Sequence, residues 1–242
     1  MNTKEFSNEF DILYNSIASM SAPALDEYEK SVFLTKAQLE IVKVNNGPMN
    51  KYRESFEGSD KRRADLRELI VDYKVIPKEI TTGIEPVTYL VDLPKDLFLI
   101  KYEAAFYTKE GCDDRIEIQV IPVKYDEYHE NKRNPFRRPT ETSGFRLDIQ
   151  SSKGNKQAEL IVSQKPEIYQ MRYIKYPTPI ILTDLDGFST EVLSIDGIQS
   201  ETECMLDKEL HREILDRAVE LAMVAYRQEQ AQIENQSNQF NN

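Results

Sequence analysis

The chain is poor in the residues that build compact reactive sites. Its 242 residues include two cysteines and two histidines. Cys112 and Cys204 stand alone, with no Cys-x-x-Cys pair and no framework of four or more. That argues against a disulfide-stapled fold and leaves two readings, free thiols in a reducing compartment or a single Cys112–Cys204 bond. His129 and His211 lack further His or Cys at zinc-ligand spacing. No Gly-x-Ser-x-Gly supports a Ser-His-Asp arrangement. The eight glycines are scattered, so no loop is built to cradle phosphate. No run approaches the ~20 apolar residues of a membrane span. Met1 to Met20 is acidic and mixed, without the apolar centre of a signal peptide. The expectation is a protein made and kept in a cytoplasm, or in something assembled there. Positive charge is also short: 31 Lys and Arg face 42 Asp and Glu, a formal net charge of −11. This disfavours sequence-independent binding to nucleic acid, which needs cations to displace counterions. It leaves open a DNA-facing channel, whose negative wall would keep DNA from sticking.

What is present is a soluble, globular composition, 40% hydrophobic and 30% charged, long enough for one or two domains with a sizeable core. Phe6, Phe10, Leu13 and Ile17 make one apolar stripe, preceded by Asn2 or Thr3 as a cap, and predict a first helix. A second helix is expected from about Leu25 to Val44, burying Tyr28, Val32, Leu39 and Val42 with Phe33 and Leu34 beside them. Asn45-Asn46-Gly47-Pro48 stops it. A third is expected from about Asp60 to Asp72, with Ala64, Leu66, Leu69, Ile70 and Val71 apolar. The strongest pattern runs from Leu206 to Tyr226. Leu206, Leu210, Ile214, Ala218, Leu221, Ala222 and Ala225 recur at helical spacing, and Asp207 is placed to cap the start. A second row, Leu215, Val219 and Tyr226, widens that face. We expect the first row to close on the N-terminal helices and the second to be free to meet a neighbouring subunit.

The middle of the chain has a different period. Prolines 77, 86 and 94 punctuate an extended connection from Val75. Leu97–Tyr107 and Arg115–Val123 flank a Gly-containing turn and predict a hairpin; Phe145–Gln150 and Ala158–Ser163 predict a second. Ile168 to Ile174 alternates like a strand. Tyr125 to Asn134 predicts a short helix between the hairpins. The fold class is α+β: a helical bundle from the N-terminal helices and a long C-terminal helix, with a central antiparallel β domain. The expected divisions are a helical part with its extended connection (1–94), the β domain (95–200), the C-terminal helix packing on the N-terminal helices (201–227), and a disordered tail (228–242). Nine of the fifteen tail residues are Gln or Asn.

Three groups of residues invite functional readings. Ile180-Ile181-Leu182-Thr183-Asp184-Leu185-Asp186-Gly187 is an apolar strand ending in Asp-x-Asp-Gly. It resembles the first motif of haloacid-dehalogenase-type phosphatases, in which the first Asp is nucleophile and the second acid/base beside Mg²⁺. Against it, Phe188 replaces the usual Thr, only about fifty residues follow where a βαβα domain should open, and no later strand ends in an acidic pair. A strand end followed by an Asp/Gly turn accounts for it. Asp184 and Asp186 also fail as a Ca²⁺ loop, because Gly187 is at position 4 and Ile195 occupies position 12. Lys132-Arg133 and Arg137-Arg138 surround Asn134-Pro135-Phe136, either a solvated loop with local ion pairs or a docking loop for an acidic neighbour, protein rather than nucleic acid given the acidic background. Lys61-Arg62-Arg63 invites the same two readings, with an exposed helix face preferred. No catalytic, cofactor-binding or metal-ligating residue is assigned.

Several segments nonetheless resemble one family. Glu9-Phe10-Asp11-Ile12-Leu13-Tyr14-Asn15, Ala22-Pro23-Ala24-Leu25-Asp26-Glu27-Tyr28 onward to Gln38, Phe56-Glu57-Gly58-Ser59-Asp60-Lys61-Arg62-Arg63, Tyr173-Ile174-Lys175-Tyr176-Pro177-Thr178-Pro179 onward to Leu182 and Leu210-His211-Arg212-Glu213-Ile214 onward to Val219 are similar to ring or adaptor proteins of the head–tail connector in crAss-like short-tailed bacteriophages. The resemblance implies a non-enzymatic virion protein at the head–tail junction, without cofactor. Its partners would be its own copies in a dodecameric ring, the portal, adjacent tail rings, and genomic DNA passing through the lumen without sequence-specific binding; no membrane is implied. Rings use heterologous contacts, and hairpin tips near Gly111 and Gly154 would reach neighbouring rings. The Gln/Asn tail would order by augmenting a neighbour. A soluble regulatory or protein-binding module of a phage is the alternative, and a divergent phosphatase the third.

Overall fold

A computed structural model describes residues 1–17, 23–46, 66–81, 83–109, 114–151, 154–186 and 193–240. Its elements, in order, are α1 (Thr3–Ile17), α2 (Glu27–Asn46), β1 (Ile70–Val75), β2 (Lys78–Ile80), β3 (Thr88–Asp92), β4 (Leu97–Thr108), β5 (Arg115–Pro122), α3 (Tyr125–Arg133), β6 (Ser143–Gln150), β7 (Lys156–Ile161), β8 (Ile168–Lys175) and α4 (His211–Phe240). The chain is mixed α+β. It divides into a helical unit, Met1–Leu69 with Pro177–Asn242, and a β unit, Ile70–Tyr176.

In the helical unit, both N-terminal helices start in a reciprocal capping box. Asn2 Oδ1 accepts from Glu5 N at 2.8 Å while Glu5 Oε2 accepts from Asn2 N at 2.9 Å. Asp26 and Glu29 repeat the arrangement at 2.7 and 3.0 Å. Each box satisfies N–H groups that a helix start leaves without partners. On α1 the buried apolar side chains are Phe6, Phe10 and Tyr14, a strict four-residue repeat, so Tyr14 takes the place expected of Leu13. On α2 the buried face is turned away from the one expected. Lys30, Ser31, Leu34, Ala37, Gln38 and Val42 are inside, whereas Val32 is exposed. Three of these are polar, which hides the face from a hydrophobicity pattern.

Partners explain two of them. Lys30 Nζ reaches Asp11 Oδ2 at 2.8 Å, Glu27 Oε1 at 3.1 Å and Ser7 Oγ at 3.2 Å, joining α2 to α1. Burial pulls its pKa down, but the hydrogen bonds to Asp11 and Glu27 outweigh that and raise it. Ser31 and Thr35, one turn apart, bind an extended segment. Ser31 Oγ accepts from Leu182 N at 3.0 Å, and Thr35 Oγ1 accepts from Ile180 N at 3.0 Å and donates to Ile180 O at 3.3 Å. Two helix hydroxyls thus serve residues 180–182 as a strand would. Thr202 bridges Ile181 from the other side. Farther on, Asp196 and Gly197 both have positive φ between Ile195 and Ile198, whose backbones bond at 3.0 and 2.9 Å. This is a two-residue turn of the kind Asp-Gly favours.

The last helix begins with a 3₁₀ turn, Lys208–Leu210, where Asp207 Oδ1 accepts from Glu209 N at 3.0 Å. α4 then packs along α2 and α1. Arg217 Nη2 pairs with Glu40 Oε2 at 2.8 Å. The division of its face is corrected: Leu215 and Val219, expected to be free for a neighbour, are as buried as Ile214 and Ala218. Residues on both rows fill the interior of one chain because α4 packs against two helices and not one. Its backbone stays helical through Phe240, past the expected tail boundary at residue 228. Gln and Glu, seven of the thirteen residues from 228 to 240, are good helix formers.

The expected third helix is overturned where it is described: a 3₁₀ turn, Arg67–Leu69, leads directly into β1 at Ile70. Ile70-Val71-Asp72-Tyr73-Lys74-Val75 is β-branched and alternating, and it pairs in register with β8. The same correction applies to the connection after Val75, which carries β2 and β3; the sheet begins at residue 70, not 95, and ends at Lys175. The segment Pro177–Ser200, placed in the β domain by the sequence pattern, lies in the helical unit because Ile180–Leu182 bonds to α2.

The eight strands form one sheet in the order β1-β8-β4-β5-β6-β7-β3-β2. The two edge strands are consecutive in the chain, with only Ile76 and Pro77 between them. A flat sheet of this size would be ~34 Å across at ~4.8 Å per strand. Val75 and Lys78, three residues apart, span at most ~11 Å. The sheet must therefore curl until its edges approach, and Tyr73 Oη on β1 donates to Asp92 O on β3 at 2.9 Å. Two register shifts in β4, at Leu97/Leu99 and Ile100/Tyr102, supply local bending. Both expected hairpins are present as β4–β5 and β6–β7, and Gly154, at φ +81°, sits in the second turn. The expected antiparallel character is incomplete. β5 and β6 run parallel, which residues 123–142 permit by crossing over through α3. Inside the curl lie Tyr89, Val91, Ala105, Ile118, Leu160, Met171 and Tyr173, among others; outside, α3 lays Tyr128 on Phe145, Leu147 and Ile161.

Candidate functional site

Among the described residues, several with reactive potential have structural partners. Asp184 and Asp186 are both exposed, and Asp184 Oδ1 accepts from Glu201 N at 2.8 Å, which ties one loop to another. Gly187 and Phe188 lie outside the described residues. Among the described residues no three His, Cys, Asp or Glu side chains gather as metal ligands. No described helix is long and apolar enough to cross a membrane. His129 is exposed on α3, its ring 5.4 Å from that of Tyr128. Cys204 is free, and burial pushes its thiol up to about 11, far from a reactive thiolate at neutral pH. Cys112 and Lys61-Arg62-Arg63 lie outside the described residues.

His211 has a structural task that its position at the edge of a helix face did not reveal. Its Nε2 is 3.0 Å from Leu206 O and its Nδ1 2.6 Å from the Met1 amine, with the ring 5.2 Å from that of Phe6. Nε2–H donates to the carbonyl and Nδ1 accepts from the amine, so the neutral ring is the one that fits. Burial lowers its pKa, and the Met1 amine acts in the same direction. The histidine fastens the start of α1 to the start of α4.

A charged group is buried inside the curl of the β unit. Arg146 on β6 holds Glu103 on β4 through Nη1, at 3.0 Å to each carboxylate oxygen, and both side chains are 8% exposed. Tyr169 Oη on β8 donates to Glu103 Oε2 at 2.8 Å, and Arg146 Nε lies 3.0 Å from Asp148 Oδ1 without hydrogen-bond alignment. Burial raises the Glu103 pKa, with Arg146 opposing, and raises that of Tyr169. A cleft of about 380 Å³, lined by Leu97, Ile100, Lys156 and others, opens beside the pair. With the carboxylate held by a guanidinium and a phenol, this group joins three strands across the curl. The sequence did not disclose it because the partners are 43 and 66 positions apart and share only an inward-facing parity.

The feature most unlike a protein interior is the basic turn after α3. Asn134 N donates to Glu130 O at 3.1 Å and ends the helix; Asn134 O accepts from Arg137 N and Arg138 N at 3.0 and 2.9 Å, and Asn134 Oδ1 from Phe136 N at 3.0 Å. These bonds make Asn134 the centre of a tight turn. Downstream, Thr140 N donates to Ser143 O at 2.9 Å and Ser163 Oγ to Thr140 O at 2.7 Å, which anchors the loop to the sheet. At its tip Phe136 is 96% exposed. Lys132 is paired with Glu85, whose pKa is lowered by that hydrogen bond and by one from Tyr128. Among the described residues no carboxylate pairs with Arg133, Arg137 or Arg138. The sequence picked out the basic cluster; the bare phenylalanine at its centre appears only in three dimensions. In the helical unit Ile12, Val44 and Val224 are also exposed.

The chain as a whole has close likenesses. It is 43% identical over 234 residues to Ring protein 4/5 of Bacteroides phage crAss001, covering 93% of this chain and 94% of the relative. It is 41% identical over 230 residues to Ring protein 3 of the same phage, covering 93% and 96%. A family model described as phage tail ring protein 3/4 matches residues 1–234, nearly the entire helical and β units described above, and the chain therefore belongs to the phage tail ring protein 3/4 family of crAss-like phages.

Proposed function

We propose that the protein is a non-enzymatic structural subunit of the virion, one of many identical copies in a ring of the head–tail connector. The ring lies below the portal, extends the DNA channel and links portal to tail. The observation that carries this reading is the family match over residues 1–234, with relatives named as ring proteins across more than nine-tenths of their length. The resemblance read from the sequence supports a dodecamer assembled in the host cytoplasm. In this reading the helical unit works as a bundle that stacks subunits, and the β unit meets adjacent rings through its hairpins. The net charge of −11 suits a lumen through which DNA slides, because an acidic wall gives the phosphates nothing to hold. Reactive groups absorbed into caps, anchors and a buried ion pair also suit a scaffold. The test is cryo-microscopy of purified virions with mass spectrometry of their proteins. The expected result is a closed ring of this chain between portal and tail. Absence from the particle, or a single non-ring copy within it, overturns the proposal.

A further inference from the structure

We infer that the Phe136 turn is the knob of a heterologous contact between copies of this chain, seated on the acidic surface of the next copy's helical unit. The inference rests on the ring reading and adds to it which residues hold the copies together. Three observations lead to it. First, the turn is prebuilt: the Asn134 hydrogen bonds and the Thr140 anchor set its shape before any partner arrives, so little ordering entropy opposes docking. Second, a phenylalanine 96% exposed among arginines that pair with no carboxylate of the described residues has the composition of an interface anchor, an aromatic to fill a cavity and guanidinium groups to bind carboxylates around it.

Third, the chain supplies the complementary surface itself. In the helical unit Glu5, Glu68, Glu203 and Asp207 line one cleft of about 570 Å³ together with Lys208 and the Met1 amine, so carboxylates outnumber cations there by four to two, with Leu206 and Cys204 contributing apolar wall. Among the described residues none of these four carboxylates has an ion-pair partner. Copies that each carry −11 repel one another, and a contact that sets the basic turn of one against the acidic cleft of the next reverses the sign where they touch. Because turn and cleft are different surfaces of the chain, the contact is head-to-tail, the kind that a ring of identical copies uses. Nucleic acid is the less favoured occupant: a basic turn of seven residues within an acidic chain offers few phosphate contacts.

The experiment measures self-association of the full-length chain by native mass spectrometry and sedimentation. The variants are Phe136→Ala, Arg137→Glu/Arg138→Glu, and the latter combined with Glu68→Lys/Glu203→Lys. Phe136→Ala and the charge reversal are each expected to weaken association by about 30-fold or more. They should leave the melting curve unchanged, since these side chains are exposed. The compensating lysines should restore association. The inference is overturned if the variants associate like the wild type, if the lysines give no rescue, or if the wild type remains monomeric. It is also overturned if the loop variants lose only binding to a DNA duplex probe. The ring reading is judged separately by imaging particles, so a ring whose assembly ignores Phe136 sinks this inference alone.

Discussion

Val219 decides whether the second apolar row of α4 belongs to the interior or to an interface. It is 1% exposed within a single chain, and Leu215, one turn earlier, is 0% exposed. Val219→Ala removes two methyl groups at ~0.8 kcal/mol each and leaves a partly unfilled cavity, about 2 kcal/mol together. Val219→Asp loses the same packing and adds a carboxylate with no partner in an apolar setting, at least about 3 kcal/mol more. A total of about 5 kcal/mol rivals the whole stability of many domains, ~5–15 kcal/mol. At ~2–4 °C per kcal/mol for a chain of this size, the alanine variant should melt about 4–8 °C lower. The aspartate variant should lose cooperative folding of its helices or melt at least ~10 °C lower. Val224→Asp is the control: that position is 51% exposed, and the change should fall within about 0.5 kcal/mol. Thermal melts followed by helical circular dichroism read all three. If Val219→Asp melts with the wild type and merely fails to assemble, the burial argument is wrong and the row faces a neighbour.

Three further outcomes follow from buried polar groups. His211 has a folded pKa below the unfolded value of ~6.5, so as pH falls through that value the unfolded chain takes up a proton that the folded ring resists. Denaturant titrations from neutral to mildly acidic pH should show stability dropping with pH in the wild type, and a shallower slope in His211→Gln. Ser31→Ala strands the Leu182 N–H, and Thr35→Val strands both polar groups of Ile180; each should cost about 1–3 kcal/mol in denaturant melts, against nearly nothing for exposed Lys36→Ala. Arg146→Met leaves Glu103 buried with Tyr169 alone and should destabilise the β unit by about 3–5 kcal/mol at neutral pH. Burial already raises the Glu103 pKa, so lower pH should protonate it and shrink that deficit, and adding Glu103→Gln should recover much of it. A deficit that ignores both pH and the second substitution would mean that the ion pair is not its cause.

Local signals were legible where one residue's neighbours in sequence are also its neighbours in space. The stripe of Phe6 and Phe10, the run from Leu206, the strand flanked by Ile168 and Ile174, and both hairpins with their turns were readable from period alone. The buried face of α2 was not, because Lys30, Ser31 and Gln38 lie on it; a polar side chain is buried there on account of partners such as Asp11 and Leu182, which the sequence does not place nearby. Ile70 and Val71 read equally well as the end of a helix or the start of a strand, and pairing with Ile174 and Tyr173 settled it. For the candidate site, the basic cluster was visible as charge, while the exposure of Phe136 depended on the hydrogen bonds of Asn134.

The sequence by itself determined the α+β class, the caps, the hairpins, the acidic excess and the likeness to ring proteins, since each depends on residues a few positions apart or on composition. The tertiary structure alone decided which polar residues are buried, that residues 70–94 join the sheet, that β5 and β6 run parallel, and that Val219 faces inward. Those outcomes depend on pairings between distant segments, and a hydrophobic period records that a face is covered without saying by what.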